Sequence, residues 1–285
     1  MNMHLKIDAD RLARGLGDEP FAVSHELVGH PLLELEAIGQ LADSLADDSV
    51  EHNLGQVPEL LPGGEAPRLE LSPGEIARGI DSNGCWMVLK RIEQDPAYSA
   101  LLSETLAEVT ASMSEREGGV RRLEGFIFLS APNSTTPAHF DPEHNFLLQI
   151  RGSKDMVVGE FPDPETEIQE LERYYGGGHR NLEWLPANER TFPLEPGDGV
   201  YVPVHAPHLV RSGPTPSISL SVTFYTAQSE RLGIVHSVNS RLRAARLRPS
   251  PPGRRPGVDR AKAAAWETAR SMARRGRSLV SRGGA

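Results

Sequence analysis

The spacing of apolar residues changes character near residue 120. Before that point the period is helical: Tyr98, Leu101, Leu102, Leu106 and Val109 recur three and four apart after Asp95-Pro96, predicting a helix over about 96–113. Ser72-Pro73-Gly74-Glu75 combines a capping serine, a first-turn proline and a glutamate three residues on, predicting a shorter helix over about 73–80. A third short helix fits 38–45, and Trp86-Met87-Val88-Leu89-Lys90 reads as a strand. The remainder of 1–75 reads as loops, broken by Leu61-Pro62-Gly63-Gly64-Glu65.

Beyond residue 120, short apolar runs alternate with Gly, Pro and Asn: 126–130, 145–150, 156–160, 199–204 and 217–225. Arg151-Gly152-Ser153 and Glu195-Pro196-Gly197-Asp198 fit tight turns. Short strands punctuated in this way predict an antiparallel sandwich or barrel. Residues 161–192, rich in Glu and carrying Trp184 and Gly176-Gly177-Gly178, read as a flexible, lid-like insertion. Past residue 241, the Pro/Arg-rich stretch 248–257 reads as a linker and 261–277 as a helix with a sparse apolar stripe. The expected organisation is a helical and loop region over 1–119, a β core over 120–240 and a basic linker and helix over 241–285.

Composition narrows the class. With 285 residues, 38% of them hydrophobic, the chain can bury at least one full core. No apolar run approaches the ~18 residues of a membrane span, and the first residues lack the apolar stretch of a signal peptide. The expectation is a soluble cytoplasmic protein with no membrane partner. Cys85 is the one cysteine, which excludes an intramolecular disulfide or a cysteine-built metal cage, so any metal rests on His, Asp or Glu. It reads as a small buried apolar residue.

Charge is split along the chain. Residues 241–285 hold 13 basic residues against Asp259 and Glu267, a surplus of +11; the rest holds 17 basic and 37 acidic residues, or −20. An acidic body repels phosphates, so nucleic acid is not its expected partner. The basic tail reads as a solvated or dimer-forming extension.

The candidate chemistry lies in Thr135-Thr136-Pro137-Ala138-His139-Phe140-Asp141-Pro142-Glu143-His144-Asn145. On an extended chain residues two apart share a face, so His139 and Asp141 present an imidazole and a carboxylate together. A third ligand is available in Val204-His205-Ala206-Pro207-His208, where either histidine qualifies. Two His and one carboxylate on one side of a metal leave the other side open, the arrangement of non-haem Fe(II) oxygenases. By itself a His-x-Asp is more often a strand histidine followed by a turn aspartate. The flanking residues add to it: Thr136 offers a hydroxyl, Asn145 an amide, Lys154 an ammonium, and Thr223 a hydroxyl on the last strand. A dicarboxylate chelating a metal at one end needs a cation at the other, and Lys154 can supply it. His144 and His179 read as surface or loop histidines.

Thr136-Pro137-Ala138-His139-Phe140-Asp141, Asn145-Phe146 and Gln149-Ile150-Arg151-Gly152-Ser153-Lys154 resemble the core motif of the JmjC-type 2-oxoglutarate oxygenases, and within them most the asparaginyl hydroxylase that modifies hypoxia-inducible factor. Pro196-Gly197-Asp198, Tyr201, Pro203 and His208 resemble the second motif of the same family. The likeness covers about residues 120–226. It implies a mainly β fold with flanking helices around a double-stranded β-helix (cupin or jelly-roll) core, binding Fe(II) and 2-oxoglutarate. Carried over by position, it implies His139, Asp141 and His208 as iron ligands, with His205 the less favoured alternative to His208. Thr136 and Lys154 would take the distal carboxylate of 2-oxoglutarate, with Asn145 and Thr223 near the iron-proximal end; Thr223 stands where the hydroxylase has an Asn. The implied activity is hydroxylation of a C–H bond in a peptide, a protein side chain or a small metabolite, using O₂, with demethylation open to the same chemistry. The competing expectation is a metal-binding cupin without oxygen chemistry, or a regulator using the basic tail on nucleic acid. A homodimer through the C-terminal helix is a further expectation.

Overall fold

Serine and threonine alternate with Ile, Leu, Val and Phe along Ser217–Thr226, and that alternation divides the interior in two. Ile218, Leu220, Val222 and Phe224 belong to a large apolar core. Ser217, Ser219, Ser221 and Thr223 face the other way and are also buried. A strand buried on both faces, with one face polar, lies between a hydrophobic layer and an interior lined with functional groups.

The computed structural model describes residues 4–14, 16–55, 57–60, 70–113 and 118–282. The predicted break at 61–65 lies outside them. In chain order the elements are β1 (Leu5–Lys6), α1 (Ala9–Arg14), β2 (Phe21–His25), α2 (Leu35–Ser44), β3 (Val50–Leu54), α3 (Pro73–Arg78), β4 (Cys85–Lys90), α4 (Pro96–Thr105) and α5 (Ala107–Met113). There follow β5 (Val120–Ser130), β6 (Thr135–His139), β7 (His144–Arg151), β8 (Lys154–Glu160), α6 (Pro164–Tyr175), β9 (Ala187–Leu194), β10 (Asp198–Val202), β11 (His208–Ser212), β12 (Ser217–Thr226), α7 (Ala227–Ala244) and α8 (Pro256–Arg282).

Two antiparallel sheets form the β core. One runs β1-β2-β10-β7-β12-β5-β4-β3 and the other β6-β11-β8-β9. Phe146, Leu148 and Ile150 of β7 join the large core, which also holds Ile38, Leu41, Leu101 and Leu102 from α2 and α4. Leu147 points the other way, into a smaller cluster with Met156, Val158, Val200, Val202 and Val210. These residues come from both sheets, so the smaller cluster is the filling between them. The polar face of β12 is satisfied there: Ser219 donates to Gln149 Oε1 and Ser221 to Asn145 Oδ1, each at 2.7 Å. This is the expected double-stranded β-helix architecture with flanking helices.

Contacts group the residues into two compact units, 1–162 with 180–227, and 163–179 with 228–285. The first unit holds both sheets. Residues before 75 contribute more than loops to it, because β1, β2 and β3 extend the larger sheet at its two ends. The Ser72 capping box forms as expected: its hydroxyl accepts from Glu75 N–H at 3.3 Å and the Glu75 carboxylate accepts from Ser72 N–H at 2.9 Å. The single helix expected over 96–113 is two, divided at Leu106, whose φ of −96° and ψ of 12° leave the helical region. The 151–153 turn is confirmed, with Gly152 at φ 66° where a side chain would be strained.

The second unit corrects one expectation. The insertion is not a flexible hairpin: Asp163 accepts from Glu165 N–H at 2.8 Å and Thr166 N–H at 3.0 Å and starts α6, and the three glycines end it. After β12 the chain continues as α7. Within this unit Tyr175 stacks on His236 with centroids 5.7 Å apart, Arg243 pairs with Glu172, and Arg241 lies 4.4 Å from the Trp266 ring. Among the described residues no helix is long and apolar enough to cross a membrane.

Candidate metal centre

β6 is an edge strand, the position in a sheet where Pro137 is tolerated, since proline has no N–H for a second neighbour. Its last residue, His139, pairs with His208, the first residue of β11. Pairing brings the two imidazoles together, with ring centroids 4.2 Å apart. Asp141 lies just past the strand end, and its Oδ2 is 3.4 Å from His208 Nε2 and 3.9 Å from His139 Nε2. Each of the three offers one ligand atom, and all these atoms lie within 4.8 Å of one another.

The protonation of the cluster follows from its surroundings. Nδ1 of His139 is 2.8 Å from the Pro137 carbonyl, and Nδ1 of His208 is 2.8 Å from the Ala206 carbonyl. A carbonyl only accepts, so each Nδ1 carries a hydrogen and each Nε2 is the ring atom that faces Asp141. Burial, followed by the neighbouring His208, pushes the His139 imidazole down to about 3. Burial acts to raise the Asp141 carboxyl, but the Arg180 guanidinium, the His208 hydrogen bond and the His139 ring outweigh it and hold the group far below the usual carboxylate range. Two imidazoles and an ionised carboxylate on one side of a point are a donor set suited to a divalent first-row transition ion.

A cavity of about 470 Å³ opens on this cluster, with Trp86, Phe126 and Phe128 on its wall. Thr136, Asn145, Lys154 and Thr223 all line it. Lys154 is 5% exposed, and burial pushes its ammonium down to about 7. No carboxylate or hydrogen-bond acceptor meets it among the described residues; the Phe128 ring centre is 5.9 Å away. Ser212 pairs with Lys154 and His208 with Val158, so four residues, about 13 Å of strand, separate the lysine from the metal-side register. Thr136 lies between, opposite Val210. Asn145 and Thr223 are paired neighbours on β7 and β12, and Thr223 Oγ1 donates to the Glu124 carbonyl at 3.4 Å.

The other histidines sort by place. His205 has φ 65° and donates its backbone N–H to the Asp141 carbonyl at 2.8 Å, while its ring meets Phe140 edge-on outside the three-residue cluster. His179 is exposed. His144 is not a surface residue. It is buried, stacks on Phe224 with centroids 4.9 Å apart, and its Nδ1 lies 2.8 Å from the Tyr201 hydroxyl. Burial pushes it down to about 4. A folded value below the unfolded one contributes stability that is complete above about 6.5 and is lost as pH falls towards 4. His144→Gln is expected to flatten the acid limb of a stability-versus-pH curve by about one proton, roughly 1.4 kcal/mol per pH unit, measured by urea unfolding between those values.

Three residues escaped the sequence reading. Arg180 pairs with Asp141 Oδ1. Tyr225 donates to Glu143 at 2.6 Å, and burial, followed by the Asp141 charge, raises that carboxyl to about 7. Glu143, two residues past Asp141, was legible from the motif spacing; Arg180, 39 residues further along the chain, carried no sequence signal.

Residues 109–232 match the family described as JmjC domain. The Jumonji C domain-containing protein 5 of Drosophila melanogaster is 29% identical over 105 residues, 33% of this chain and 26% of that protein. Among solved structures, Escherichia coli YcfD superposes with a TM-score of 0.53 at 16% identity, covering 89% of this chain and 62% of that one. YcfD described as a ribosomal oxygenase from Escherichia coli in complex with cobalt and 2-oxoglutarate gives 0.52 at 15%, covering 88% and 61%. At such identities the likeness is one of fold. The chain spans about three fifths of those structures and about a quarter of the fly protein. The stretch that carries His139, Asp141 and His208 thus lies within the match to the JmjC domain family, on a double-stranded β-helix.

Proposed function

We propose that the chain is an Fe(II)- and 2-oxoglutarate-dependent dioxygenase that hydroxylates a C–H bond of a protein side chain. One observation carries the reading: Lys154, a buried ammonium without an anionic partner among the described residues, lines the same cavity as the His139, Asp141 and His208 cluster. A buried cation left unpaired is costly, so its retention points to an anion brought by a ligand. A keto acid with a carboxylate at each end meets both sites at once, and the solved complex of YcfD with cobalt and 2-oxoglutarate, which shares this fold, supports that choice of ligand.

His139, Asp141 and His208 hold the iron, Thr136 and Lys154 hold the distal carboxylate, and Asn145 and Thr223 flank the other end. When bound, the iron and the keto acid would supply the activation of O₂, one oxygen atom going to the product and the other to succinate as the keto acid loses its first carbon as CO₂. The chain's own part is to orient and to exclude water. Backbone carbonyls fix both imidazoles, and Trp86, Phe126 and Phe128 keep the cavity wall apolar. A protein substrate is favoured by the motif's resemblance to the asparaginyl hydroxylase and by the ribosomal oxygenase among the fold's relatives. The reducing cytoplasm, where ferrous ion persists, is the fitting compartment.

Mixing the protein anaerobically with Fe(II) and 2-oxoglutarate is expected to give a visible charge-transfer band. Admitting air with a peptide panel should then yield succinate and a product heavier by one oxygen atom. Uptake of metal without the band or succinate would leave a metal-binding barrel and end the oxygenase reading.

A further inference from the structure

We infer that Arg180 is a positioning residue that makes Asp141 a one-oxygen ligand and so keeps the open side of the metal free; the inference rests on the metal-site reading above. Each imidazole of the cluster is fixed from behind by a backbone carbonyl, 2.8 Å from Nδ1 in both cases. The Asp141 carboxylate is an acceptor and needs a donor behind it. Its Oδ1 instead takes the Arg180 guanidinium, while Oδ2 is the oxygen that faces both Nε2 atoms. A carboxylate with both oxygens free can chelate a metal through the pair. With Oδ1 occupied, only Oδ2 remains to bind, and a chelating keto acid and O₂ find three positions rather than two.

Arg180 is held where this requires it. The next residue, Asn181, bridges His139 in the sheet sense, and Leu182 N–H donates to the Ala138 carbonyl at 2.8 Å. Leu182 is fully buried, so the segment is anchored on the metal-bearing strand itself. The arginine is about half exposed, 49% for its side chain against 13% for that of Asp141, so solvent screens its net charge and its directed hydrogen bond is the larger effect. Lysine, with one compact donor centre, reproduces the bond in part, and alanine removes it.

The test uses Co(II) in place of Fe(II), because its d–d spectrum reports coordination number and needs no turnover. In Arg180→Ala the spectrum of the Co(II)-loaded full chain is expected to move towards higher coordination, and anaerobic affinity for 2-oxoglutarate to fall by about 10–100-fold, the usual scale for loss of a partner behind a ligand. Arg180→Lys should recover part of both. Metal-free melting of the three proteins separates folding from positioning. An Arg180→Ala protein whose bound Co(II) gives the wild-type spectrum and wild-type 2-oxoglutarate affinity overturns the inference, whether or not it melts lower. Wild-type protein that takes up no Co(II) overturns the metal-site reading and this inference together.

Discussion

Asp141→Ala is expected to abolish coupled and uncoupled consumption of 2-oxoglutarate, lowering succinate formation by roughly a hundredfold or more. The variant removes the one anion of the donor set, and a loss at a ligand should exceed the 10–100-fold typical for a partner behind one. Two neutral imidazoles remain, which bind a divalent ion weakly and neutralise none of its charge. Arg180 at the same time loses its carboxylate, leaving a cation beside the place where a second cation must bind. Metal uptake followed by calorimetry should therefore collapse along with succinate. Asp141 is held ionised in the folded protein and so contributes stability above the ordinary carboxylate range, which makes Asp141→Asn the companion variant. It keeps the shape and the Arg180 contact point, and should lose activity while remaining folded. Wild-type succinate formation in a folded Asp141→Asn protein would remove Asp141 from the site.

The second large effect belongs to Lys154. Replacing it by methionine leaves the distal carboxylate of the keto acid buried without a partner, a change typically worth about 3–5 kcal/mol, or roughly two to three and a half orders of magnitude in 2-oxoglutarate affinity. The effect should appear in the KM for 2-oxoglutarate and leave metal uptake intact, the reverse of the Asp141 pattern. Stability should move the other way. Burial places the folded lysine at about 7, below its unfolded value, so between those two the unfolded chain binds more protons and stability rises with pH; below about 7 the full penalty applies. Ligand-free Lys154→Met is therefore expected to be the more stable protein, by on the order of a few kcal/mol at pH 6, with the gap closing as pH climbs. The same titration affects binding: above about 7 the empty site must take up a proton to meet an anion, and affinity should weaken by about tenfold per pH unit. Chemical denaturation and 2-oxoglutarate titration across pH 6–9 read both. A destabilised Lys154→Met protein that keeps full 2-oxoglutarate affinity would show the lysine to be structural.

What was legible depended on how local the signal was. The Ser72 cap, the Gly152 turn and the strands of the β core rest on residues a few positions apart, and they form as their spacing predicts. Asp163-Pro164 carries the same helix-start signal as Asp95-Pro96, but the three glycines behind it drew the reading towards a loop; in the protein those glycines only end α6. His144 was misjudged for a different reason. It follows a Pro-Glu pair that looks like a turn, and only the stacking of Phe224 and the Tyr201 hydroxyl against it make it interior.

The amino-acid order by itself determined the β architecture, the His139 and Asp141 pair on one face, and a short list of cavity residues, because alternation and offsets of two to a few residues translate directly into a shared face. Tertiary structure alone brought His208, and not His205, to the His139 and Asp141 cluster, since that depends on the register of β6 against β11, a pairing of segments some 70 residues apart. It alone also left Lys154 without a counter-ion among the described residues and brought Arg180 to Asp141. Burial and long-range pairing are properties of the packed chain, and no local pattern encodes them.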